Sequence, residues 1–83
     1  IHENPYILLL NCDGEETEND VIGLLEELVE RYVIKSKTVT AAGIELTAEL
    51  RCRDASTGFV NRIQGISGVE SATLVSYNGE YMS

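Results

Sequence analysis

The chain has 83 residues, 43% of them apolar and 24% charged, with one Pro and a formal net charge of −8. That length supports one domain and no second core, and the apolar share is that of a folded chain and not of a disordered one. Six Lys and Arg against fourteen Asp and Glu disfavour nucleic-acid backbones and anionic lipid headgroups as partners.

No apolar run is long enough to span a bilayer and no leader pattern is present, so the chain as given reads as water-soluble. It begins at Ile1 without an initiator Met, and the expectation is a fragment, or a processing product, of a longer protein. Two cysteines, Cys12 and Cys52, do not make a disulfide framework. They are read as buried free thiols.

The run Tyr6-Ile7-Leu8-Leu9-Leu10 lies between Pro5 and the turn formers Asn11-Cys12-Asp13-Gly14. A continuous apolar run of this length suits a central strand covered on both faces. From Thr17 the period changes, and Val21, Ile22, Leu24, Leu25, Leu28, Val29 and Tyr32 recur at helical intervals. Thr17 with Asp20 approximates a capping box, and the acids nearby favour the positive end of the helix dipole.

Residues 33–40 are rich in β-branched side chains and carry Lys35 and Lys37, the pattern of a guarded edge strand. Ala42-Gly43 makes a turn, and Ile44, Leu46, Ala48, Leu50 and Cys52 then alternate with Glu45, Thr47, Glu49, Arg51 and Arg53. Ten residues of period two predict the strongest strand of the chain. Asp54 or Ser56 is placed to cap a second helix with Phe59, Val60, Ile63 and Ile66 inward. Gly65 and Gly68 offer a left-handed exit into a last strand over residues 69–77, followed by the turn signal Asn78-Gly79.

Strand, helix, strand, strand, helix, strand is the split βαβ order of an α+β, ferredoxin-like βαββαβ sandwich. Right-handed crossovers give a four-stranded antiparallel sheet in the order 4-1-3-2, with both helices on one face. One sheet face is thereby left open although the first strand is apolar on both sides. Tyr6, Leu8 and Leu10 are taken as the uncovered set, with Ile7 and Leu9 the alternative, and Val75 and Tyr77 extend the patch along the last strand. A contiguous apolar patch implies self-association or docking.

No residue pattern carries chemistry. Asp13, Glu15, Glu16, Glu18 and Asp20 crowd the first loop, but their spacing is not that of an EF-hand, and a solvated face is the reading adopted. With no Cys-x-x-Cys and His2 as the one histidine, neither a zinc site nor a nucleophile with its base is available. No metal, cofactor or catalytic residue is expected. Acylphosphatases share this topology, but their arginine sits on a glycine-rich first loop, where this chain has Asn11-Cys12-Asp13-Gly14 and no cation; Asn61-Arg62 does not replace it.

The run Lys35-Ser36-Lys37-Thr38-Val39, then Gly43-Ile44-Glu45-Leu46-Thr47-Ala48-Glu49-Leu50-Arg51, Phe59-Val60-Asn61, Gly68-Val69-Glu70-Ser71 and Leu74-Val75-Ser76-Tyr77-Asn78-Gly79-Glu80-Tyr81 together resemble the C-terminal domain of a bacterial family. Its members are integral membrane proteins of unestablished function, with transmembrane helices first and a ferredoxin-like or ACT-like tail. The resemblance implies a non-enzymatic regulatory or dimerisation module on the cytoplasmic face of the inner membrane. Its partners would be a second copy and the rest of the parent protein. ACT domains bind amino acids at the loop after the first strand, so Asn11, Asp13 and Gly14 are similar in place to a ligand site, and an ACT-like sensor of an amino acid or a cation is the alternative. The usual Pro-Gly-Leu helix start is missing, and Glu15, Glu16 and Glu18 would repel a carboxylate.

Overall fold

A computed structural model describes residues 3–53 and 56–76. In chain order the elements are β1 (Asn4–Cys12), α1 (Glu15–Leu28), β2 (Arg31–Thr40), β3 (Gly43–Cys52), α2 (Phe59–Gln64) and β4 (Val69–Ser76). The strands form one sheet in the order β2-β3-β1-β4, with β1 antiparallel to both β3 and β4, and β2 antiparallel to β3. This is the ferredoxin-like topology that the element order predicts. Asp54, Tyr77 and the Asn78-Gly79 turn lie outside the described residues.

The core lies between the helices and one sheet face. Tyr6, Leu8, Leu10 and Cys12 of β1 meet Ile44, Leu46, Ala48, Leu50 and Cys52 of β3 under Val21, Leu25 and Val29 at α1 and Ile63 of α2. These are the alternate positions of each strand, which a period of two sends to a single face. Ala72 and Leu74 of β4 pack on the same cluster. Tyr6, Leu8 and Leu10 are therefore beneath the helices, and the open face belongs to Ile7 and Leu9. The cause is cross-strand register: Leu8 sits opposite Ala48 and Leu74, whereas Ile7 sits opposite Glu49 and Val75, and the partners' polarity selects the side.

Three other local expectations are corrected. α1 begins at Glu15 with Gly14 as its cap residue and no side-chain cap, so Thr17 lies in the first turn, is buried, and turns its hydroxyl to Asp13 and the Ser67 carbonyl. The helix also ends at Leu28, with Val29 already extended, which moves Tyr32 into β2, where its hydroxyl donates to Glu26 at 3.0 Å. Finally, Gly65 is right-handed. Only Gly68, with φ +98°, supplies the left-handed residue before β4.

Gly68 is required for a second reason. A Cβ there would strike the Thr17 hydroxyl and lie 2.6 Å from Asp13 Oδ1. Gly43, at φ +142°, likewise lets the β2–β3 turn close onto the Cys12 carbonyl oxygen at the end of β1. Cys12 and Cys52 are both free and buried, and the register places Cys12 opposite Ile44 and Cys52 opposite Asn4. Eight residues of ladder, roughly 27 Å, separate them, far beyond the reach of a disulfide.

Candidate functional site

Two regions were candidates from sequence: the first loop and the open face. In the first loop, Asp13 N–H donates to the Gly68 carbonyl at 2.9 Å, and the Asp13 carboxylate accepts from the Thr17 hydroxyl at 2.5 Å. The loop after β1 is thus fastened to the loop before β4. Asn11 points the other way, its amide donating to Ser71 Oγ at 3.0 Å, as its pairing with Ser71 requires. The Gly14 carbonyl accepts from the amide of Glu18 and from the Cys12 thiol. Asn11, Asp13 and Gly14 are neighbours in sequence, yet Asn11 is turned to the open face while Asp13 and Gly14 line one hollow beside the loop.

A shallow hollow of about 330 Å³ adjoins this loop, lined by Gly14, Glu15, Lys37, Val39 and Thr40 among others. Its cation is engaged: Lys37 Nζ lies 2.8 Å from Glu18 Oε1, with the Glu18 side chain only 11% exposed. Glu18 is thereby a buried partner of the edge strand and not part of a solvated acidic face. The hydrogen bond it donates to Glu18 holds the Lys37 ammonium above its ordinary value. Cys12, buried at the end of β1, is raised chiefly by burial, with Glu18 and Asp13 adding to it, so its thiol is not an activated nucleophile. Among the described residues no three His, Cys, Asp or Glu side chains converge as metal ligands.

The open face is built differently. Alternation places Pro5, Ile7, Leu9 and Asn11 of β1 there, next to Arg51, Glu49, Thr47 and Glu45 of β3 on one side and Val75, Thr73 and Ser71 of β4 on the other. β2 adds Arg31 and Val33 opposite Arg51 and Glu49, then Ser36 and Thr38 past an irregularity at Lys35. Ile7 is 0% exposed although no helix lies over it. Its flanking residues in the register are Glu49 and Val75, and the carboxylate of Glu49 is held aside by Lys35 at 3.7 Å and Arg51 at 3.1 Å. Long charged side chains shelter an apolar strand in this way while keeping their charges wet. Leu9 and Val75 remain partly open and Val33 is 52% exposed.

At one end of this face Arg31 bonds Glu3 at 2.6 Å and sits opposite Arg51 in the register. At the other end Glu45 and Glu70 line one small hollow with Asn11. Of the sequence-assigned interface residues, Val75 is on the open face; Tyr6, Leu8 and Leu10 are not, and Tyr77 is outside the described residues. Glu45, Glu49 and Arg51 were legible as outward residues of a period-two strand, which also sets Arg51 beside Glu49, but the Lys35–Glu49 pair follows from register.

The arrangement is that of a ferredoxin-like α+β domain with one face of its sheet uncovered by its helices. The same fold is seen in the solution structure of the C-terminal domain of the MgtC protein from Mycobacterium tuberculosis. The two superpose with a TM-score of 0.73 over 98% of this chain and 95% of the other, at 15% sequence identity. At that identity the likeness is one of fold. No family model and no curated protein matches the sequence. No described helix is long and apolar enough to cross a membrane.

Proposed function

We propose that this domain is a non-enzymatic regulatory or assembly module, carried as the cytoplasmic tail of a bacterial membrane protein, and that it acts by pairing with a second copy through the open face of its sheet. The observation that carries this reading is the placement of both helices on one side, which leaves Leu9, Val75 and Val33 accessible on the other. The fold shared with a C-terminal domain of a larger bacterial protein, and the sequence resemblance to tails of membrane proteins, support the setting.

The size of the face sets the strength of pairing. Four strands about 4.8 Å apart and some eight residues long offer roughly 500 Å², against about 800 Å² per partner in a standard stable interface. The pairing is therefore weak in free solution and is strengthened when two tails are held together by their parent proteins, because tethering raises the effective concentration towards millimolar. A sensor that binds an amino acid at the first loop has no comparable support, since Asp13 is taken by Thr17 and Asn11 faces the opposite side.

Sedimentation over a concentration series from ten to several hundred micromolar tests the reading. The expected result is a reversible monomer–dimer equilibrium, lost in Leu9→Ser while the thermal midpoint moves by only a few degrees. A wild-type chain that stays monomeric throughout that range would overturn it.

A further inference from the structure

The open face has an electrical direction, and that direction selects how two copies stack. Along β3 the outward residues run Glu45, Thr47, Glu49, Arg51. At the Arg51 end stand Arg31 and Arg51, with Glu3 bonded to Arg31, while Lys35 and Glu49 pair near the middle of the ladder. At the Glu45 end stand Glu45 and Glu70 beside Asn11, with Ser71 and Thr38 as their uncharged neighbours in the register. Six residues, roughly 20 Å along the strand, separate Glu45 from Arg51. One end is thus net positive and the other wholly negative.

Resting on the dimer reading above, we propose that the occupant of this face is a second copy stacked with its strands reversed, so that Glu45 of each copy meets Arg51 of the other. The two-fold axis then lies in the plane between the sheets and crosses β1 between Ile7 and Leu9. Leu9 of one copy then lies over the position of Ile7 in its mate, whose side chain is already buried within its own sheet, and β3 lies over β3. The other closed arrangement, with the axis along the strands, brings the Glu45 end of one copy upon the Glu45 end of the other and the Arg51 end upon the Arg51 end. Opposed like charges at a desolvating interface are costly, and this discriminates orientation more than it adds affinity. A two-fold contact is also self-complementary by construction, so one chain must carry both halves of each pair, as Glu45 and Arg51 do. The acids of α1, which dominate the net charge, belong to the opposite side of the sheet and do not enter the contact.

Mixing two charge-reversed chains tests the orientation. Glu45→Arg alone sets two cations together at each end, and Arg51→Glu alone sets two carboxylates together. Each variant is expected to self-associate at least tenfold more weakly than the wild type. An equimolar mixture of the two pairs opposite charges at both ends and is expected to recover association to within threefold of wild type, by sedimentation with one chain fluorescently labelled. A structural defect in either variant would not be rescued by mixing, and thermal midpoints report it separately. If the single variants dimerise as well as wild type, or the mixture is no tighter than either alone, the reversed stacking is wrong while the dimer stands. If the wild type does not associate at all, the underlying reading falls with it.

Discussion

The two sides of β1 are made from the same kind of residue and do opposite things. Tyr6, Leu8, Leu10 and Cys12 disappear under α1 and α2, whereas Ile7 and Leu9 are apolar residues facing a lattice of Lys35, Glu49 and Arg51. Burial under rigid helices converts apolar area into stability. On the other side Ile7 is shut in beside ion pairs while Leu9 stays partly open to solvent. The contrast separates the residues that hold the fold from those offered to a partner.

The sharpest way to break this comparison is to truncate adjacent residues. Leu8→Ala leaves a cavity in a packed layer and is expected to cost about 3 to 4 kcal/mol, enough to unfold a domain this small at modest temperature. Leu9→Ala, one position on, is expected to cost less than about 1 kcal/mol, because solvent and flexible neighbours fill the space. Chemical denaturation of the two variants measures the difference, and equal costs would mean that the open face is as much a core as the other.

Next in size is Gly68→Ala, with an expected loss of roughly 2 kcal/mol from positive φ and the clash with Thr17 and Asp13. Gly65→Ala, at a right-handed position whose nearest contact would be 3.4 Å, is the control and should be near neutral.

The smallest effect is alkaline. Lys37 is held above its ordinary 10.5 by Glu18, and the Tyr32 phenol above its ordinary 10.0 by its hydrogen bond to Glu26. Both folded values exceed the unfolded ones, so both contributions are complete below about pH 10 and are lost as pH rises through the folded values. Thermal midpoints are expected to fall as the pH rises above about 10, and to fall less steeply in the double variant Glu18→Leu/Lys37→Met. An unchanged slope would remove the Lys37 contribution from the account.

Most of the architecture was legible in the sequence, and the reason is periodicity. The alternation from Ile44 to Cys52, the apolar run at Tyr6 and the helical spacing from Val21 each specify an element almost independently of the rest, and their order leaves few topologies. Which side of β1 is covered was not legible, because a strand apolar on both faces carries no phase of its own. Phase came from β3, whose inward Leu46, Ala48 and Leu50 pair with Leu10, Leu8 and Tyr6.

The helix start was misread for a related reason. Thr17 and Asp20 have the right spacing for a box, but Asp13 and the Ser67 carbonyl, fifty residues on, compete for the same hydroxyl. The candidate site fared in the same way. Adjacency in the first loop suggested that Asn11, Asp13 and Gly14 act together, and strand alternation sends Asn11 away from the other two.

The order of strands in the sheet also dictates when the domain can exist. β1 is flanked by β3 and β4, so neither neighbour is present while the first forty residues are being synthesised, and β1 and β2 do not touch. The emerging chain therefore carries the run from Tyr6 to Leu10 unpaired until Gly43 and the ten residues after it have left the ribosome. Exposed apolar strands of this kind are the species that aggregate or recruit chaperones. The hazard ends only with completion of the β1–β3 ladder, and among the described elements α1, an amphipathic helix that follows β1 directly, is placed to shield it in the meantime.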